Sequence, residues 1–374
     1  MKICHITPTY FSKDSIVGGG ERYVYNIVSS IAHVNNSEVE QIIISFSENE
    51  DIFYFDDVKV ILLKKSFHSN NAMDNLSFDL YEKLESEDID VIHLHQSLTL
   101  MGEYVLAVCS DLNIPIISTD LGGGSSDILM QHKGLEISSA IFSISKYAES
   151  LVRPYYLGES YVKIGPINTE FFKIKDNTIG KSSSSNKIKA ICVSRLLPHK
   201  GIDKVISALS ENISLTIVGQ VYDDDYFNYL NILSKGKSVK FIHNASDDDL
   251  VRLYHDSDIF VQASCYVDCY GRHIEKPELM GLTTLEALAC GLPVLISNAG
   301  SLPELIENTV FGRVFESEDE LALIFKELNL LPWFESFVPI DAHDYVVKNF
   351  GMNAVANYIL EMYKKTIIDF KMVN

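Results

Sequence analysis

One pattern constrains what this chain can fold into. A short apolar run, a glycine-rich or polar turn and an amphipathic helical stretch recur along it, with one interruption. Residues 2–7 form the first apolar run. A loop then ends in Gly18-Gly19-Gly20, after which Val24, Ile27, Val28 and Ile31 fall at helical spacing, so a helix starts near Glu21. Further strand-like runs lie at 41–46, 58–63, 89–94, 115–119 and 140–143, with a helical stretch over 98–112. Such apolar runs suit strands buried on both faces, and strands of that kind separated by helices make a parallel α/β sheet.

The alternation stops over 164–188. There Ile164-Gly165-Pro166-Ile167-Asn168 reads as a turn and Ser182-Ser183-Ser184-Ser185 as a polar run. It restarts with a strand over 189–194 and a helical stripe of Ile202, Val205, Ile206 and Leu209. Strands follow at 214–218, 239–242, 258–262 and 293–297. A helix over 282–289 ends at Gly291, with Pro293 just beyond. The stretch 352–367 reads as one amphipathic helix. At 374 residues the chain exceeds what one core usually covers. The expected fold class is therefore α/β with two Rossmann-like domains, 1–168 and 169–349, facing across a cleft where ligands bind.

Composition narrows the function. Hydrophobic residues make up 47% and charged residues 22%, a globular balance. The net charge of -20, from 31 basic and 51 acidic residues, comes with no basic run, which argues against nucleic acid as a partner. The six cysteines sit mostly in apolar contexts that suit a reducing compartment. Cys265 and Cys269 lack a second Cys/His pair at zinc spacing, so no metal is expected there. The start, MKICHITPTYF, is too short and polar for a signal peptide, and no apolar stretch reaches membrane-spanning length. The expected location is the cytoplasm, with peripheral contact at the inner face of the membrane left open.

Four features carry chemistry. In Ser194-Arg195-Leu196-Leu197-Pro198-His199-Lys200-Gly201, two cations lie between a strand and a helix, where helix-terminal amides add positive potential; this outlines a diphosphate site. In the segment from Pro277 to Pro293, Glu278 precedes the helix and Glu286 lies inside it, with seven residues between them. A carboxylate among Leu285, Ala287 and Leu288 needs a partner, and a sugar or ribose hydroxyl is one; the amides near Gly281, Leu282 and Thr283 would point at the same ligand. Gly19 and Gly20 let backbone approach a phosphate but do not fit G-x-G-x-x-G, so NAD is not supported. His93 and His95 share one face at a strand's C-terminal end, and His95 is the better placed to reach a ligand.

Taken together, these features resemble the retaining glycosyltransferases of family 4, which have the GT-B fold. The resemblance covers nearly the whole chain and is strongest over 190–315. It implies that Arg195 and Lys200 hold the donor diphosphate. It also implies that Glu278 and Glu286 form the E-x7-E motif, the first near the donor sugar and the second on the ribose, and that Gly19 and Gly20 belong to a loop over the donor phosphate. It places the last helix, 350–374, back on the first domain. The implied activity is retaining hexosyl transfer from a UDP- or GDP-type sugar to a glycan, lipid-linked or small acceptor, with no cofactor beyond the nucleotide-sugar substrate and no required metal. An AT-rich bacterial composition suggests surface polysaccharide assembly as the setting.

Two departures stand out. Where many members carry a sugar-contacting His, this chain has Ser118-Thr119-Asp120-Leu121, so Asp120 is the candidate sugar or acceptor contact. The segment 265–277 is longer than usual and carries Arg272, His273 and Lys276, either readers of an anionic group or a solvated loop. Asp223-Asp224-Asp225 reads as a polar loop and Ser246 with Asp249 as a helix cap, rather than as metal sites. The rivals are a sugar-nucleotide epimerase or phosphorylase on the same fold and, in another class, a non-catalytic partner protein that keeps the fold.

Overall fold

In a computed structural model of the chain, residues 1–8, 19–34, 38–66, 74–122, 134–175 and 187–373 are described. They form two compact units, Met1–Pro166 with Met352–Asn374, and Ile167–Gly351. The divisions lie two residues from the boundaries expected at 168 and 350. The reason is local: Ile167 pairs with Gly351, and its N–H donates to the Phe350 carbonyl at 2.8 Å, so both residues belong to the second unit.

Among the described residues, the first unit holds β1 (Lys2–Ile6), β2 (Glu40–Ser47), β3 (Asp51–Phe55), β4 (Val58–Lys64), β5 (Val91–His95), β6 (Ile116–Thr119), β7 (Ala140–Ser143) and β8 (Glu159–Val162). They make one sheet in the order β3-β4-β2-β1-β5-β6-β7-β8, with only β3 antiparallel to its neighbour. Successive side chains point to opposite faces of a strand. Ile42 and Ile44 accordingly join Leu80, Leu84, Met101 and Val105 in one core, while Ile43 joins Val24 and Val28 in another. Burying each such side chain contributes roughly 1.5–3 kcal/mol, which is why both sheet faces carry helices. The Gly19–Val34 helix packs on the last helix, Met352–Val373.

The second unit holds β9 (Ile188–Val193), β10 (Ile213–Val218), β11 (Val239–Ile242), β12 (Ile259–Gln262), β13 (Val294–Ser297) and β14 (Gly312–Phe315). The order is β11-β10-β9-β12-β13-β14, parallel throughout. β9 and β12 are neighbours, so the loops leaving their C-terminal ends emerge side by side. Both acidic runs cap helices. Asp223, expected in a loop, accepts from the Tyr226 N–H and starts the helix Asp224–Leu233. Ser246 and Asp249 form a reciprocal capping box at the start of Asp247–His255.

Candidate functional site

In the second unit, the loop after β9 runs through Arg195 and Leu196 into a short 3-10 turn, Pro198–Lys200. Leu196 is fully buried and anchors the loop, while Arg195 stays exposed with its guanidinium 5.5 Å from the Tyr222 ring centre. The turn closes at Gly201, whose φ is 62° and where a Cβ would lie 2.0 Å from the Ala263 carbonyl oxygen. Only glycine lets this turn rest on the chain leaving β12. That contact sets Lys200 against Glu278, with Nζ to Oε2 at 3.0 Å.

The same Oε2 accepts from Gln262 Nε2 at 2.5 Å and Ser264 Oγ at 3.3 Å. Gln262 in turn accepts through Oε1 from Thr284 Oγ1 at 2.6 Å, and the Glu278 carboxylate, an acceptor only, requires the Nε2 end of the amide to face it. Burial pushes the Glu278 carboxyl up, but the Lys200 charge and the hydrogen bonds from Lys200 and Ser264 outweigh it and hold the pKa below the usual range. Glu278 is therefore an ionised carboxylate at neutral pH. His199 is driven down to about 4, by burial first and then by the Lys200 and Arg195 charges, so it is neutral.

The helix Leu282–Ala289 begins after Gly281, where φ is 77° and no side chain caps the first turn. The Thr284 and Leu285 amides bond back to the Gly281 carbonyl, which leaves the Leu282 and Thr283 amides without intrahelical acceptors. Glu286 is 4% exposed. The partner that a buried carboxylate requires is Tyr254, whose hydroxyl donates to Oε2 at 3.1 Å. Burial and the Glu286 charge hold the Tyr254 hydroxyl well above its ordinary pKa, so it remains a donor. Gln262, Ser264 and Tyr254 carry no signal in the sequence; each lies 14 or more residues from the glutamate it serves.

In the first unit, Gly18 lies outside the described residues. Gly19 and Gly20 open the first helix, with the Cβ position of Gly20 3.6 Å from Gln96 Nε2 and 3.9 Å from Leu121 Cδ1. Gln96 holds a left-handed φ of 64°, uncommon for a side-chain-bearing residue and worth notice at a strand end. Asp120 accepts from the Gly122 N–H at 3.0 Å, so its carboxylate shapes its own turn. His95, expected near the ligand, is fully buried. Its ring is stacked on His93, 4.2 Å between centres, and lies close to His5 and Tyr23.

His5, His93 and His95 bring ligand atoms within 4.8 Å of one another, and their rings are joined to the surrounding elements by hydrogen bonds. Gln41 Nε2 donates to the Val28 carbonyl, so its Oε1 accepts from His5 Nε2; His5 Nδ1 then accepts from His95 Nε2. Thr119 Oγ1 donates to the Phe142 carbonyl and so accepts from His93 Nε2, while Tyr363 donates to His93 Nδ1. Of the six ring nitrogens, only His95 Nδ1 has no partner. The three rings are neutral hydrogen-bonding groups.

The 265–277 segment is a compact loop. Asp268 accepts from the Tyr270 and Arg272 N–H groups and from Arg272 Nε at 2.7 Å, and Val267 bridges His273. Arg272 thus helps to hold the loop through its backbone N–H and Nε, with its side chain 58% exposed.

Residues 174–330, inside the second unit, match the family described as "Glycosyl transferases group 1". The chain is 27% identical over 305 residues to an uncharacterized glycosyltransferase of Methanocaldococcus jannaschii, covering 74% of this chain and 75% of that one. Sucrose-phosphate synthase from Thermosynechococcus elongatus superposes with a TM-score of 0.77 at 16% identity, over 98% of this chain and 99% of that chain. Anabaena HepE in complex with UDP and glucose superposes with a TM-score of 0.72 at 17% identity, over 98% and 100%. The chain thus has the GT-B fold, with two Rossmann-like units. Lys200, Gln262, Glu278 and Glu286 all fall inside the group 1 match.

Proposed function

We propose that the chain is a retaining glycosyltransferase. It moves a hexosyl group from a UDP- or GDP-type sugar to a hydroxyl of a glycan, glycolipid or small acceptor, in bacterial surface polysaccharide assembly at the cytoplasmic side of the membrane. One observation carries the reading: Lys200 and Glu278 meet at 3.0 Å beside the Leu282–Ala289 helix, which also carries the buried carboxylate Glu286. This juxtaposition supports a reading in which Lys200 meets a diphosphate and the two glutamates meet hydroxyl groups. No helix among the described residues is long and apolar enough to cross a membrane.

In the proposed reaction the acceptor oxygen bonds to the anomeric carbon on the face that the diphosphate leaves. The carbon–oxygen bond to the diphosphate breaks, its electron pair goes to the phosphate oxygen, and the acceptor proton passes to the leaving diphosphate. Arg195 and Lys200 stabilise that growing charge, as preorganised cations do. Glu278 accepts from a donor-sugar hydroxyl and Glu286 from the ribose. Gly19, Gly20 and the amides of Leu282 and Thr283 complete the phosphate contacts. Asp120 remains the proposed sugar or acceptor contact from the first unit; no step requires a metal.

The test is thermal shift against UDP, GDP, ADP and their sugars, for the wild type and Glu286→Ala. A ligand at about 100 times its Kd raises stability by about 2.7 kcal/mol. A shift with one nucleotide, weakened in the variant, supports the donor site and identifies the base. No shift with any of them removes the donor reading and favours a non-catalytic partner protein.

A further inference from the structure

Three donors share Oε2 of Glu278, and they are not equivalent. Lys200 is a cation for which a bound diphosphate competes. Ser264, at 3.3 Å, is a long contact. Gln262 is neutral and 4% exposed, its Nε2 is 2.5 Å from Oε2, and Thr284 holds the other end of its amide at 2.6 Å. Its side chain cannot turn over without placing a carbonyl oxygen against the carboxylate. We infer that Gln262 is the positioning residue for Glu278: it keeps Oε2 occupied while Lys200 turns to the diphosphate, leaving Oε1 for the donor sugar. The inference rests on the proposed donor reading and adds to it the residue that orients the sugar-binding carboxylate.

The physical case turns on what happens when Lys200 leaves. A buried carboxylate that loses its counter-charge either keeps hydrogen-bond donors or takes up a proton. With Gln262 in place, a fixed N–H still favours the charged form in one orientation. Without it, Glu278 gains a proton more readily, and a protonated acid presents a donor where the sugar hydroxyl needs an acceptor. Gln262 should therefore matter for the nucleotide-sugar and not for the nucleotide alone.

The experiment is calorimetric titration of the full chain with UDP and UDP-glucose, and in parallel GDP and GDP-mannose, from about pH 3.5 to about pH 8. The proteins are wild type, Gln262→Met, Gln262→Glu and Glu278→Gln. Gln262→Met should bind the nucleoside diphosphate within about twofold of wild type and the nucleotide-sugar about tenfold more weakly, the loss of one hydrogen bond to a charged group. Its nucleotide-sugar binding should also fail at a pH about one unit higher than in wild type. Gln262→Glu, nearly isosteric, should move that failure further up, because two facing carboxyls must share a proton. Glu278→Gln should lose the acid limb. Equal weakening of nucleotide and nucleotide-sugar in Gln262→Met, or an acid limb unmoved in both Gln262 variants, would overturn the inference while leaving the donor reading intact. Absence of binding in the wild type itself overturns the donor reading, and the inference with it.

Discussion

Lowering the pH from about 7.5 to about 5 should loosen the first unit through His5, His93 and His95. Burial lowers the His5 pKa from 6.5 to about 4. Burial, followed by repulsion from the neighbouring rings, lowers those of His93 and His95 well below 6.5. The unfolded chain takes up protons near the ordinary value, whereas the folded unit resists. Stability is therefore full above about pH 6.5 and falls as pH drops towards the folded values. At pH 5 each ring that stays neutral is about 1.5 units below its ordinary pKa, which costs about 2 kcal/mol. Three rings sum to an upper bound of about 6 kcal/mol, a large share of the roughly 5–15 kcal/mol that holds a domain folded. Hydrogen exchange measured by mass spectrometry on peptides containing β1 and β5, corrected for intrinsic rates, would report this unit. Trp333, the single tryptophan, reports the other by fluorescence. His95→Gln retains a donor towards His5 Nδ1 and removes one titrating group, so it should reduce the pH dependence by about a third. Protection of β1 and β5 unchanged between the two pH values, or an undiminished pH dependence in His95→Gln, would refute the assignment of three neutral rings.

Tyr254→Phe removes the hydroxyl that donates to the nearly buried Glu286 carboxylate. The second unit should lose about 1–3 kcal/mol, read as a lower urea midpoint of Trp333 fluorescence, with a weaker thermal shift from the nucleotide. Gly201→Ala forces a left-handed φ of 62° on alanine and sets its methyl 2.0 Å from the Ala263 carbonyl oxygen. The backbone term alone is about 1–2 kcal/mol, and the displaced turn should carry Lys200 off Glu278, so both the melting temperature and the nucleotide shift should fall together.

What the sequence revealed and what it hid divide along physical lines. The Leu282–Ala289 helix was legible to the residue because Gly281, Gly291 and Pro293 punctuate it with backbone chemistry that needs no distant partner. Most strands of the two sheets were legible because strands buried on both faces are apolar throughout; β3, β8 and β14, which are only partly buried, were not, and β5 reaches His95, one residue past the expected end, since polar histidines interrupt its apolar run. Glu278 and Glu286 could be marked as chemical because carboxylates beside a buried helix need partners. The identity of those partners was not legible. Gln262 and Tyr254 reach the glutamates only because β12 and the Asp247–His255 helix are laid against the Leu282–Ala289 helix, a tertiary fact with no local periodicity. The surroundings of His95 were hidden in the same way. Alternation correctly put it on one face with His93, but what covers that face comes from His5 on β1 and Tyr23 on the first helix, far away in sequence. A strand end reads as open until the elements packed over it are known. The residues that sequence identifies best are thus those whose role is set by the backbone, and the ones it misses are neutral polar side chains that orient a charge.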